Sequence, residues 1–110
     1  EIRMLFSHAL KLRGYQVVEA SDGALAVEAA ERYRPDLVII DLMMPAMNGI
    51  EASKKIRQLP YLQQVPIICV TAYESSQLLS EEDQDLWQVV MRKPVKLSAL
   101  QAEVARFLRK

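Results

Sequence analysis

The chain has 110 residues, 51% of them apolar and 25% charged, which suits one folded domain with a modest core, excludes a second core and argues against disorder. Fourteen basic side chains balance fourteen acidic ones, so no net field draws the protein to nucleic acid or to an anionic membrane, and partners must be recognised locally. No apolar run reaches the roughly 18 residues of a membrane helix, no secretion signal is present, and Cys69 is alone, so a reducing cytoplasm suits the chain.

Ile2, Leu5, Phe6, Ala9 and Leu10 recur at three- and four-residue steps, predicting a helix over about residues 1–13, with Gly14 where a left-handed helix end belongs. Residues 15–20 hold two adjacent valines and run into Ser21, Asp22 and Gly23, which predicts a strand and then a turn shaped by Asp22. An alanine-rich helix follows over residues 24–33 and stops before Pro35. Residues 37–40 are wholly apolar, as in a strand covered on both faces, and that run ends at Asp41. Beyond Pro45 and Gly49, the positions Ile50, Ser53, Ile56 and Leu59 mark a short amphipathic helix closed by Pro60. A second buried strand over residues 67–70, with Cys69 packed inside it, ends at Thr71. A polar helix over about residues 75–86, a strand over residues 87–91 reaching Arg92 and Lys93 before Pro94, and an amphipathic helix carrying Leu97, Leu100, Val104 and Phe107 complete the chain. Regular alternation of buried strands with amphipathic helices predicts an α/β fold with a parallel sheet.

Three apolar strands each end in a polar residue that their bodies do not explain: Asp41, Thr71 and Lys93. Single polar residues at strand ends commonly do no more than satisfy loop backbone groups. Ligands of open parallel sheets, however, bind at the carboxyl ends of the strands, which brings a carboxylate, a hydroxyl and an ammonium to one crevice. Such a set suits phosphoryl chemistry, with the carboxylate as nucleophile and the other two groups binding phosphoryl oxygens. Three other features read more plainly. His8 lies on the polar side of the first helix; Met43, Met44 and Met47 are loop and core residues; and the acidic run Glu81, Glu82, Asp83 and Asp85 is a solvated helix face.

The segment DLVIIDLMMPAMNG at residues 36–49 resembles the phosphoacceptor segment of response-regulator receiver domains. VTA at 70–72 resembles their switch-hydroxyl segment, and MRKPV at 91–95 their lysine-proline segment; the intervals of thirty and twenty-two residues between Asp41, Thr71 and Lys93 match as well. The resemblance covers essentially the whole chain, 1–110, as a single domain incomplete at its N-terminal side. It implies a flavodoxin-like parallel sheet with helices on both faces and a signalling switch rather than an enzyme. Asp41 would accept phosphate from a phosphohistidine of a sensor histidine kinase or phosphotransfer protein, and Thr71 and Lys93 would grip the phosphoryl group. Magnesium would be held by Asp41, the Met43 backbone carbonyl and an acidic pair. A homodimer through the last two helices, a cytoplasmic location, and no direct contact with nucleic acid or membrane are also implied.

Several departures from the family pattern bear on that reading. The acidic pair and the first strand would both precede Glu1, and without the pair Asp41 supplies too few hard oxygen ligands for magnesium. Val90 stands where the family carries Tyr or Phe, and Asp83 to Trp87 replace a small, glycine-rich turn. A phosphorylation-independent docking or dimerisation module is therefore the alternative. A nucleotide or flavin domain is disfavoured because no glycine-rich phosphate loop follows any strand.

Three structural expectations result. The Lys93 ammonium should reach the Asp41 carboxylate, and the Lys93–Pro94 bond should be cis, as is general in the family. The absent first strand would sit centrally, between residues 15–20 and 37–41, and each buried backbone group left unpaired costs on the order of 1–3 kcal/mol. The favoured expectation is that this strand lies upstream of Glu1. The others are a strand supplied by another chain, or four strands closing into a rearranged sheet with a ladder between residues 16–20 and 38–40.

Overall fold

The computed structural model describes residues 2–41, 49–71 and 85–108. In chain order the elements are α1 (Ile2–Leu12), α2 (Gly23–Tyr33), β1 (Val38–Asp41), α3 (Gly49–Gln58), β2 (Ile67–Thr71), β3 (Val89–Arg92) and α4 (Leu97–Leu108). The three strands form one parallel sheet in the order β1-β2-β3, with Ile40 opposite Cys69 and Cys69 opposite Val90. This is the flavodoxin-like α/β arrangement, with helices on both faces.

The two faces follow from the period-2 alternation of β2, all five of whose residues are buried. Ile67 and Cys69 face a cluster with Ile40, Ala30 of α2, and Ala52 and Ile56 of α3. Ile68 and Val70 face the other way, towards Leu10 of α1 and Leu100 and Val104 of α4. A strand sandwiched in this manner must be apolar throughout, which is why its sequence shows a continuous run rather than alternation.

Local signals place the helix ends. The Asp22 carboxylate accepts from the Leu25 N–H at 2.8 Å, so beyond shaping the turn it caps the first turn of α2. The helix closes on Arg34, at φ 48°, whose N–H donates to the Ala30 carbonyl at 3.0 Å. Gly14 takes φ 91° two residues past the end of α1, a value that favours glycine, as its position predicted.

Residues 15–20 correct the sequence reading, because they form no strand. A β-ladder needs a neighbour, and the described residues provide none on that side of β1. Tyr15 and Val17 pack against the cluster of α1 and α4, whereas Val18, 53% exposed, faces an open groove of about 540 Å³ that it shares with Leu25 and Tyr33. No ladder joins residues 16–20 to 38–40, which runs against the rearranged sheet. β1 is thus an edge strand among the described residues, and Ile39 on it is 36% exposed. The last strand is Val89–Arg92, two residues later in its start than predicted, because Trp87 turns inward before the ladder begins. The helix expected over residues 75–86 falls mostly outside the described residues, and its last two positions, Asp85 and Leu86, form a turn.

Candidate functional site

Parallel register brings the three strand ends to one edge of the sheet. Asp41 closes β1 opposite Val70, Thr71 closes β2 opposite Arg92, and Lys93 follows β3 directly. The Lys93 N–H donates to the Thr71 carbonyl at 2.7 Å, which carries the ladder one step beyond β3 and fixes where the lysine side chain departs. From there Lys93 Nζ donates to Asp41 Oδ2 in a direct ion pair, with both side chains about one-third exposed. The Lys93–Pro94 bond is cis. Thr71 is 1% exposed.

The pair is open enough for water or a phosphate donor to reach, and a partly exposed ion pair of this kind contributes modestly to stability. Its electrostatic influence reaches inward. Burial first, and the negative charge of Asp41 second, push the Cys69 thiol up from 9.0 to about 12. Cys69 is accordingly a protonated core residue and not a ligand or nucleophile.

Other residues singled out from sequence separate clearly. His8 is exposed on α1. Met43, Met44, Met47 and the acidic residues Glu81, Glu82 and Asp83 lie outside the described residues. Among the described residues no group of three or more His, Cys, Asp or Glu side chains is placed to hold a metal ion. Magnesium prefers several hard oxygens near octahedral geometry, and here the carboxylate of Asp41 meets an ammonium. The described residues do not by themselves make a magnesium site.

Sequence reasoning passed over a second set of polar contacts behind the site. Ser53 on α3 joins the Gly49 carbonyl to the Trp87 indole. Arg57, one turn further along, reaches the carbonyls of Leu62 and Leu86 and the side chain of Gln88. The available signal was a serine at an apolar position of α3 and a tryptophan where a small turn residue was expected.

The model of the response regulator receiver domain matches residues 1–105. The chain belongs to that family. Among curated relatives of this receiver domain, the transcriptional regulatory protein PdtaR of Mycobacterium tuberculosis is 36% identical over 111 residues, covering 96% of this chain and 53% of PdtaR. The chain thus spans about half the length of that relative. Sporulation initiation phosphotransferase F of Bacillus subtilis is 28% identical over 97% of this chain and 85% of its own length. The receiver domain of the sensor histidine kinase PA1611 from Pseudomonas aeruginosa superposes with a TM-score of 0.82 at 30% identity, covering 99% of this chain and 87% of that one. That crystal structure has a magnesium ion coordinated in its active-site cleft. Chemotaxis response regulator CheY4 of Vibrio cholerae gives a TM-score of 0.85 at 28% identity, over 96% of this chain and 88% of its own. No helix among the described residues is long and apolar enough to cross a membrane.

Proposed function

We propose that this receiver domain is a phosphoacceptor switch of a two-component phosphorelay, with Asp41 as the acceptor. The observation that carries the reading is the ion pair at the carboxyl edge of the sheet, where a half-open carboxylate is held by Lys93. An Asp41 carboxylate oxygen attacks the phosphorus of a phosphohistidine on a sensor kinase or phosphotransfer protein. The O–P bond forms as the P–N bond breaks, and the departing imidazole takes up a proton. The new group brings a charge of about −2, which the Lys93 ammonium offsets while the Thr71 hydroxyl donates to a phosphoryl oxygen. Partner surfaces, including a homodimer through the last two helices, would change in consequence, and the relay belongs in the cytoplasm. Magnesium, with Asp41 and the Met43 carbonyl as two of its ligands, requires carboxylates beyond these.

In a chain carrying the acidic pair upstream of Glu1, intact mass after incubation with acetyl phosphate and magnesium is expected to rise by one phosphoryl group and to stay unchanged in Asp41→Asn. No gain in a chain carrying the acidic pair upstream of Glu1 defeats the reading. A second reading, docking or dimerisation independent of phosphate, is favoured by two observations: the described residues lack a metal-ligand group, and Val90, 39% exposed, offers no aromatic ring to rotate. Partner binding indifferent to both magnesium and phosphodonor would select it.

A further inference from the structure

Two buried hydrogen bonds in series tie the start of α3 to the root of β3. The Ser53 hydroxyl donates to the Gly49 carbonyl at 2.7 Å and accepts from the Trp87 Nε1–H at 2.9 Å. Gly49 is the first residue of α3. Trp87 is 6% exposed and precedes β3, whose other end leads into Lys93. One helical turn beyond Ser53, Arg57 donates to the Leu86 carbonyl at 2.8 Å and to Gln88 Oε1 at 2.9 Å. The same Gln88 oxygen accepts from the Ile67 N–H of β2 at 2.6 Å. One face of α3 is therefore fastened to residues 86–88, and residues 86–88 to the central strand.

The indole ring could pack in this core unaided, yet its N–H would then be buried without a partner. Ser53 supplies the acceptor and spends its own proton on Gly49, so both groups are satisfied and each bond polarises the other. We propose that Ser53 and Trp87 are positioning residues for the phosphoacceptor site: they register α3 against the root of the strand that delivers Lys93. This rests on the reading of Asp41 as acceptor. From Ser53 the contact crosses to Trp87, follows β3 to Lys93 and reaches Asp41 through the ion pair. A change of charge at Asp41 that releases Lys93 acts on β3, and the indole sits at the root of that strand, held by Ser53. Val90 cannot report such a change as a rotating aromatic; Trp87 can.

Trp87 is the only tryptophan in the chain, so its emission reads this contact alone. Asp41→Asn removes the charge that holds Lys93 without requiring any phosphodonor, and it is expected to change the emission of the otherwise native chain. In a Ser53→Ala background that difference should vanish, and in Ser53→Thr, which keeps the hydroxyl, it should persist. A merely structural serine would lower the melting temperature and leave the Asp41-dependent difference intact. Identical emission from the native chain and Asp41→Asn overturns the proposal, as does a difference of equal size with and without the Ser53 hydroxyl. The first comparison needs no Ser53 variant and holds even if Ser53→Ala fails to fold. Because no phosphoryl transfer enters, a failed mass gain with acetyl phosphate would count against the acceptor reading and not against this coupling.

Discussion

Arg57 leaves α3 between two loops and satisfies backbone carbonyls in both, at Leu62 and Gln63 on one side and Leu86 on the other. A guanidinium suits this place because its rigid fork of donors reaches several acceptors at once, which an ammonium cannot do. Arg57→Ala is expected to destabilise the domain by about 2–3 kcal/mol, since it strands partly buried carbonyls, and Arg57→Lys to recover less than half of that. Urea unfolding midpoints at constant slope check both. Cys69 offers a pH prediction. Burial pushes its thiol up from 9.0 to about 12 on folding, so between those values the unfolded chain holds fewer protons and stability falls as pH rises. The contribution is fully present below about pH 9, and a Cys69→Val variant should lose this alkaline decline. At neutral pH the native thiol should ignore disulfide-exchange reagents until denaturant is added.

At the scale of elements, β1 and β2 show that identical chemistry takes its value from the neighbours. Ile39 and Ile68 are partners in the register, both β-branched and both in apolar runs. Ile68 is 0% exposed between α1 and α4, while Ile39 is 36% exposed on the free side of β1. Ile68→Ala should therefore cost about 2–5 kcal/mol, and Ile39→Ala in this chain below about 1 kcal/mol. Thermal unfolding of the two variants side by side measures the contrast; equal losses would mean that β1 is covered in solution. The same logic accounts for residues 15–20. Their valines have strand propensity, but an extended segment becomes a strand only when a neighbour completes its ladder.

For the whole molecule, the sheet brings Asp41, Thr71 and Lys93 to one edge, yet among the described residues no group of three or more His, Cys, Asp or Glu side chains could hold magnesium, and the Asp41 carboxylate is already paired. Ligand binding to the native state alone raises stability with ligand concentration. Magnesium is accordingly expected to leave the melting temperature of this chain unchanged. A rise that grows with magnesium would show that donors outside the described residues complete a site.

Sequence by itself determined the helix periods, the buried character of β2, the polar strand ends and, through the motif around Asp41, the receiver family, whereas β1, equally apolar in sequence, buries only Ile40. These are properties of local pattern: a strand covered on both faces must be apolar, and a parallel sheet must present its loops at one edge. Only the tertiary structure decided which other side chains met. It left residues 15–20 without a ladder and turned Trp87 inward onto Ser53 across 34 positions of chain, whereas the meeting of Lys93 with Asp41 was already legible in the strand ends. No local signal announces such a pair, because a serine on a helix and a tryptophan before a strand each fit many surroundings, and their partnership follows from how α3 lies against the sheet.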